Sequence, residues 1–319
     1  MSQTTGLSII IPFYNVGKYL QECIDGLLST GDIDKTEIIL VDDGSTDSSS
    51  GIAKMYSDRY GFIRVLRIDN SGPSESRNTG LRQAKGRYVF FCDSDDRVVS
   101  GLFGKIIRLA ETEECDIILW DSEIIDEKGN VIIREDSGYF AHAGLDKTEM
   151  IYTGKKLIET SLRNSGDFVA TIWLGVYRRE FLLEKQLFFA EGLIHEDELW
   201  VPKALLSAET VRYIPEKIYQ YRMRKGSIMN PESDDLSESV ASLMQVYPSL
   251  YKFYDEVLEG DPLKELIEGN LTKRYLSLIY KFRFYKYGYG KQIDKKLLWR
   301  TSNRFKDKIR VLLLYLIAR

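Results

Sequence analysis

Tyr88-Val89-Phe90-Phe91-Cys92-Asp93-Ser94-Asp95-Asp96 is the stretch that decides the fold. Its apolar half, Tyr88 to Cys92, reads as a buried strand that stops in three carboxylates within four positions. Taking a carboxylate out of water costs several kcal/mol, and like charges crowded at a strand end repel one another unless a cation lies between them. Hard oxygen ligands at such a terminus suit Mg²⁺ or Mn²⁺, which often bridge onward to the phosphates of a substrate. A solvated acidic turn is the alternative, and a lone Asp-x-Asp does not separate the two. Cys92, in the strand register, reads as a small core residue rather than a nucleophile.

Three similar units precede this stretch. Leu7 to Pro12 is a short apolar run closed by proline, of the kind found in parallel sheets. A loop from Phe13 to Gly17 follows, then Lys18 to Ser29 with Tyr19, Leu20, Cys23, Ile24, Leu27 and Leu28 at helical spacing. Glu37 to Val41 is a second strand and runs into Asp42 to Asp47, where Ser45 or Asp47 is expected to cap a helix through Ile52, Ala53 and Tyr56. Ile63 to Ile68 is a third strand, ending in Asp69 to Gly72, and Ser74 to Ala84 is the third helix. This alternation predicts an α/β fold: a doubly wound, mostly parallel twisted sheet with helices on both faces. Ligands of such sheets lie outside the carboxyl ends of the strands. Those ends carry Tyr14-Asn15, Asp42-Asp43, Asp69-Asn70 and Asp93 to Asp96. No G-x-G-x-x-G follows the first strand and no G-x-x-x-x-G-K-[ST] occurs, which disfavours a dinucleotide fold and excludes a P-loop ATPase.

Four stretches, Ile9 to Asn15 (IIIPFYN), Leu40 to Asp47 (LVDDGSTD), Asn70 to Gly80 (NSGPSESRNTG) and Asp93 to Asp96 (DSDD), together resemble the family-two glycosyltransferases of GT-A fold. Order and spacing match as well, over roughly the first hundred residues. The resemblance implies a Rossmann-like GT-A domain and an inverting transfer of a sugar from a nucleotide diphosphate, usually UDP, with one divalent metal, Mn²⁺ or Mg²⁺. It implies that Pro12, Tyr14 and Asp43 cradle and hydrogen-bond the uracil, with Asn15 and Asn70 in the same donor-binding set. A carboxylate such as Asp43 would accept strongly from the uracil N3–H. Arg77 matches a nucleotide-contacting arginine, Asp93 a group on the ribose or in the metal's shell, and Asp95 the metal ligand. Pro12 also serves simply to end a strand, Asp42 and Asp47 suit turn and cap positions, and Asn78 suits a brace for the loop backbone.

Further along, Leu102 to Ala110 reads as a helix, Asp116 to Trp120 as a strand, and Glu123 to Arg134 as a hairpin around Lys128-Gly129-Asn130. Asp136 to Glu149 is polar and irregular. Ala170 to Arg179 resembles the family's stretch leading to the catalytic base, but Leu174-Gly175 stands where many members have Asn-Lys, so contacts from those side chains are not carried over. His195-Glu196-Asp197 matches the acidic motif whose aspartate serves as general base. An inverting transfer needs one carboxylate to take the acceptor hydroxyl's proton, and Asp197 is the candidate. The same acids suit a helix N-terminus. His195 stays open between packing, an acceptor contact and a metal ligand. Leu199 to Ala208 reads as a buried helix, and Val211 to Pro215 and Lys217 to Tyr221 as short strands. Tyr219 to Ile228 resembles the family's closing segment, in which Arg222, Arg224 and Ser227 would donate to the pyrophosphate.

The composition, 319 residues with 44% hydrophobic and 29% charged, is that of a globular protein. Cys23, Cys92 and Cys115 are scattered, and with only His142 and His195 beside them they argue against zinc and for reduced thiols in the cytosol. The apolar run Leu7 to Ile11 is too short for a signal peptide, and no stretch has the length of a membrane span. Charge is unevenly shared: residues 270–319 carry +12 and residues 1–269 carry −16. From Ser237 onward the pattern is helical, with aromatic and basic residues interleaved, which suits an anionic bilayer surface. Packing on the catalytic domain or on another subunit is the other reading, so a homo-oligomer stays open, and the acidic remainder disfavours nucleic acid.

Residues 1–230 are therefore expected to form the nucleotide-sugar-binding catalytic domain and 231–319 a helical, basic C-terminal region. The expected protein is a cytoplasmic glycosyltransferase, peripheral on the inner face of the cell membrane. It would act on a lipid-linked oligosaccharide in capsule, O-antigen or exopolysaccharide synthesis. A glycosyltransferase with a protein or soluble acceptor, a nucleotidyltransferase, and a non-catalytic sugar-nucleotide-binding module are the rivals.

Overall fold

The computed structural model describes residues 6–30, 33–132, 141–227 and 235–317. Strands β1 (Leu7–Phe13), β2 (Thr36–Asp42), β3 (Ile63–Arg67) and β4 (Tyr88–Phe91) run parallel in the spatial order β3-β2-β1-β4. Helices α1 (Gly17–Leu28), α2 (Ser49–Arg59) and α3 (Gly72–Gln83) connect them. Every residue of β2 and β4 is buried, and all of β1 but Pro12. Such strands show no polar alternation because helices cover both faces of the sheet. Pro12 costs no ladder bond. Cys92 N–H donates to the Ile10 carbonyl, so even-numbered residues of β1 face β4, and pairing with β4 ends at Ile10. The missing donor of Pro12 therefore points where no strand remains to accept it.

Beyond β4 lie β5 (Arg97–Val98), α4 (Ser100–Thr112), β6 (Ile117–Ile125), β7 (Val131–Ile132), β8 (Met150–Tyr152) and α5 (Gly154–Ser165). They are followed by β9 (Gly175–Arg178), α6 (Arg179–Glu184), α7 (Glu196–Ser207) and β10 (Val211–Arg222). The sheet reads β3-β2-β1-β4-β9-β6-β10-β5, with β7 on β6 and β8 on β10. β9 is antiparallel to both of its neighbours, while β6 and β10 are parallel to each other. The chain leaves β1 toward β2 and β3 and returns on the other side for β4. That reversal opens a crevice at the carboxyl ends, where such folds bind ligands.

Two expectations need correction. The short strands Val211 to Pro215 and Lys217 to Tyr221 are one strand, β10, whose register with β6 shifts between Ile214 and Lys217 and again before Tyr219. Pro215 has no N–H for the ladder, and the bulge absorbs it without ending the strand. The N-cap of α2 is Ser48 rather than Ser45 or Asp47, although Asp47 Oδ1 still accepts the Ser49 N–H at 2.9 Å. The hairpin appears as β6 and β7, with residues 133 and 134 outside the described residues.

The C-terminal region is helical: α8 (Ser237–Val257), α9 (Leu263–Lys281), α10 (Lys295–Thr301) and α11 (Phe305–Ile317). α8 packs on α7 and α9 on α5, with the Tyr247 and Tyr275 rings stacked at 4.6 Å between α8 and α9. The expected boundary at 230/231 lies outside the described residues.

Gly80 sets the approach of α3 to the central strand, since a Cβ there would come within 2.3 Å of Ile10 Cγ2. Gly80→Ala is expected to lower unfolding free energy by about 1–3 kcal/mol through overpacking, read as a lower urea midpoint with unchanged slope.

Candidate active site

The loop after β4 divides its three acids between two jobs. Asp96 is buried. Its Oδ1 accepts the Arg222 N–H at 2.7 Å and its Oδ2 the Tyr219 hydroxyl at 2.8 Å. Burial, together with the charges of Asp95 and Asp93, pushes its carboxyl well above the usual range. Asp93 and Asp95 are partly exposed and reach cations instead. Asp95 Oδ2 accepts from Arg224 Nε at 2.6 Å, and Asp93 Oδ1 accepts from Arg77 Nη2 at 2.8 Å. Burial raises the pKa of Asp93, Arg77 offsets part of this, and the neighbouring charge of Asp95 adds to it.

Arg77 is the link across the crevice. Its other terminal nitrogen, Nη1, donates to Glu196 Oε1 in the first turn of α7. Only 6% of the residue is exposed, and the guanidinium lies 5.7 Å over the Phe189 ring. Burial alone would lower its pKa, but the carboxylates of Glu196 and Asp93 outweigh that and raise it, with Asp197 contributing. Asn78, one residue on, closes the geometry: its Nδ2 donates to the Phe189 carbonyl and its Oδ1 accepts the Phe189 N–H, both at 2.9 Å. Phe189 in turn stacks on Trp200 of α7 at 4.9 Å. Thus α3 holds the end of β4 with one side chain and the entry to α7 with two.

Asp197, the candidate base, sits beside Glu196 and is partly buried. Burial raises its pKa well above the ordinary aspartate range, the charges of Glu196 and Glu198 push the same way, and Arg77 offsets part of it. Glu198 is tied to the C-terminal helices: both its oxygens accept from Arg274 Nη2 of α9 at 2.7 Å, and Oε2 lies 3.5 Å from the Tyr247 hydroxyl of α8.

The remaining expected donor-site residues fall at the same end of the sheet. Tyr14 is 45% exposed just past β1. Asn15 follows it with φ +49°, its Oδ1 accepting the N–H groups of Thr46 and Asp47 at 2.8 and 3.2 Å. Asp43 accepts the N–H groups of Ser71 and Gly72, at 2.7 and 2.9 Å, and so fixes the start of α3. Asn70 is exposed beside Gly44, whose φ of +79° favours glycine and where a Cβ would lie a tight 3.2 Å from the Asn70 nitrogen. Arg222 differs from its expected place among the pyrophosphate donors. It is 1% exposed, and its nitrogens donate inward to the carbonyls of Asp95, Asp126 and Glu127 and to Glu22 Oε2. As placed it braces the loop that carries Asp95.

Among the described residues no three His, Cys, Asp or Glu side chains converge into an ion cage. Asp93 and Asp95 fit the other kind of divalent site, in which one or two carboxylates share the ion with substrate phosphates. Arg224, paired with Asp95, puts a positive charge beside that carboxylate.

The family model described as Glycosyl transferase family 2 matches residues 8–183. The chain belongs to glycosyl transferase family 2. It is 31% identical to the uncharacterized glycosyltransferase YibD of Escherichia coli K12, over 72% of this chain and 64% of that one, less than two thirds of YibD's length. It is 34% identical to the uncharacterized glycosyltransferase EpsJ of Bacillus subtilis 168, over 78% of this chain and 70% of EpsJ. Its fold matches the crystal structure of residues 1–349 of Staphylococcus aureus TarS in complex with UDP-GlcNAc, with a TM-score of 0.66 at 20% identity, covering 97% of this chain and 79% of that one.

In this family-two chain the glycine of the Leu174-Gly175 departure has a steric reason. Gly175 opens β9 where β6 passes closely, and a Cβ would lie 2.7 Å from Leu119 Cδ2 and 2.9 Å from the Ile118 carbonyl. His195 precedes α7 with φ +81°, a left-handed backbone that costs a non-glycine residue of order 1–3 kcal/mol. Its Nε2 is buried without a hydrogen-bond partner among the described residues, and burial lowers its pKa. Sequence reading assigned no role in the site to Glu196, Glu198 or Arg274. Only the acid run at the start of α7 hinted at the first two, and nothing local marked Arg274.

Arg77→Met would strand the Asp93 and Glu196 carboxylates against each other, and a loss of about 3–5 kcal/mol in stability is expected at pH 7. The loss should shrink as pH falls, because Asp93, whose folded pKa burial already raises, takes up its proton in the folded state first. Denaturant melts at two pH values check this.

Proposed function

We propose that this protein transfers a sugar, with inversion, from a UDP-sugar, a UDP-hexose or UDP-N-acetylhexosamine, to a hydroxyl of a saccharide acceptor. The observation that carries the reading is the guanidinium of Arg77, hydrogen-bonded to Asp93 beside Asp95 and to Glu196 beside Asp197. Through it the acidic end of β4 is joined to the segment that carries the candidate base, which supports a shared site. Family membership supports the reaction class, and the UDP-GlcNAc bound to TarS in the same fold supports the donor class.

In this reading the uracil lies against Pro12 and the exposed Tyr14 ring, near Asn15 and Asn70. Asp43 is held rigid by two backbone donors, and its remaining lone pairs accept the base N–H. Asp93, oriented by Arg77, receives a ribose hydroxyl or joins Asp95 as a ligand. Asp93 and Asp95 would hold a Mn²⁺ or Mg²⁺ ion, which when bound would neutralise charge on the diphosphate. Arg224, within reach of Asp95, donates to the same phosphates, and Arg222 keeps that loop in place from beneath. Asp197 takes the proton of the acceptor hydroxyl as its oxygen attacks the anomeric carbon. The bond from that carbon to the UDP oxygen breaks, and UDP leaves with the bonding pair. The raised pKa of Asp197 suits it to this, since a more basic carboxylate accepts a proton more readily. The acceptor is a lipid-linked saccharide of a surface polysaccharide such as capsule, presented at the inner face of the cell membrane. The +12 charge of residues 270–319 supports that location.

Asp197→Asn is expected to leave UDP-sugar affinity near normal while transfer falls at least ~100-fold, and undiminished turnover would place the base elsewhere. Asp95→Asn should abolish the Mn²⁺-dependent part of UDP binding in calorimetry, and equal affinity with and without Mn²⁺ in the parent protein would remove the ion from the scheme. The base must be ionised to act, so the acid limb of the rate profile should lie above the ordinary aspartate pKa of about 3.9. Glu198→Gln should move that limb to lower pH, because one of the charges raising Asp197 is gone. A screen of UDP-sugar hydrolysis across common donors would identify the sugar.

A further inference from the structure

Helix α11 has two apolar faces. Val311 and Leu314, with Asp307 alongside, are buried where the helix meets α9 and α10. On the opposite side, Phe305, Ile309, Leu312, Leu313 and Leu316 are 81, 42, 53, 45 and 62% exposed. Their spacing places all five within an arc of about 100° on a helix of 3.6 residues per turn. The exposed face is thus the more apolar of the two, the reverse of a helix that only covers a core.

The charges around this stripe are all of one sign. By the same helical geometry Lys306 and Lys308 fall on its two margins. Lys308 Nζ lies 5.5 Å over the Trp299 ring of α10, itself 42% exposed, and Lys295 Nζ lies 5.7 Å over the exposed Tyr315 ring. Between residues 295 and 317 the cations are Lys295, Lys296, Arg300, Arg304, Lys306, Lys308 and Arg310, and the one acid is Asp307. Asp307 is fully buried and paired with Arg304 at 2.6 Å and Arg310 at 3.8 Å, so no negative charge reaches the surface there.

Among the described residues no helix is long and apolar enough to cross a membrane. At 1.5 Å per residue α11 covers roughly 20 Å, short of the ~30 Å hydrocarbon core. A stripe of large apolar residues bordered by lysines, with a tryptophan and a tyrosine on its flanks, is suited to lying in the plane of a bilayer. There the apolar side chains enter the acyl boundary while the lysine stems run along it and their ammonium groups reach anionic headgroups. We propose that α11, with Trp299 beside it, seats this protein in the surface of an anionic membrane by the face of Phe305, Ile309, Leu312, Leu313 and Leu316. The proposal is independent of the chemistry proposed above, because seating is measured without any transfer.

The test is flotation of the full chain with vesicles of phosphatidylcholine alone and of phosphatidylcholine with phosphatidylglycerol, alongside light scattering over a range of protein concentrations. The parent protein should float with the anionic vesicles and more weakly with the neutral ones. L312E/L316E should lower the anionic partition coefficient at least ~10-fold, since two leucines that would enter the acyl boundary are replaced by charges. These side chains are exposed, so its thermal melt should match the parent's. K306E/K308E should remove most of the preference for anionic over neutral vesicles. Equal flotation of the parent and L312E/L316E, or no flotation on either vesicle, would overturn the proposal. So would a concentration-dependent dimer that L312E/L316E abolishes, which would make the stripe a contact between two copies.

Discussion

A buried guanidinium shared by two carboxylates is the constraint on which the rest of the crevice depends. Arg77 joins Asp93 at the end of β4 to Glu196 at the start of α7, segments about a hundred residues apart. Neither acid would be stable so close to the other without it, because each charge loses water and gains a like neighbour. The arginine is therefore held on both sides, and it holds both sides in return. Asn78 and the Phe189–Trp200 stack repeat the connection with hydrogen bonds and ring contact, so α7 is fixed in angle as well as in distance.

Beneath this link lies a second one, made of groups that never reach the crevice. Asp96 collects the Tyr219 hydroxyl and the Arg222 N–H, and Arg222 spreads its own donors over three carbonyls and Glu22. The Trp173 ring stacks on Tyr219 at 4.5 Å and on Tyr221 at 5.5 Å, which stiffens the end of β10. Around the outward-facing acids the buried backbone is satisfied by their neighbours, since Asp96 accepts the Arg222 N–H and Arg222 donates to the Asp95 carbonyl. Above the crevice the C-terminal helices hold Glu198 through Arg274. The helical region is in this way part of the environment of Asp197, one residue away, and not only an appendage to the sheet.

Much of the architecture was legible in the chain itself. The runs Leu7 to Pro12 and Tyr88 to Cys92 are apolar without alternation, which signals strands covered on both faces, and each ends in polar residues that mark the carboxyl edge. The break at Pro215 was misread because a proline stops a ladder bond locally while flanking strand residues still pair. Arg222 was placed among the phosphate donors because a guanidinium suits phosphate, yet its own surroundings supply every acceptor it touches. Asn78 was legible as a brace for loop backbone, and from the middle of α3 it holds both backbone groups of Phe189.

The order and spacing of four strand ends, with the acids at Asp93 to Asp96, determined the family and the edge of the sheet at which its chemistry is placed. Local propensity and apolar patterning act over a few residues and need no knowledge of the fold. Which acid is buried and which faces the crevice, that Arg77 spans the two acidic segments, that Arg274 reaches Glu198, and which face of α11 stays uncovered were decided only by the tertiary structure. Each of these depends on desolvation and on partners distant in sequence, and neither quantity exists until the chain has closed on itself.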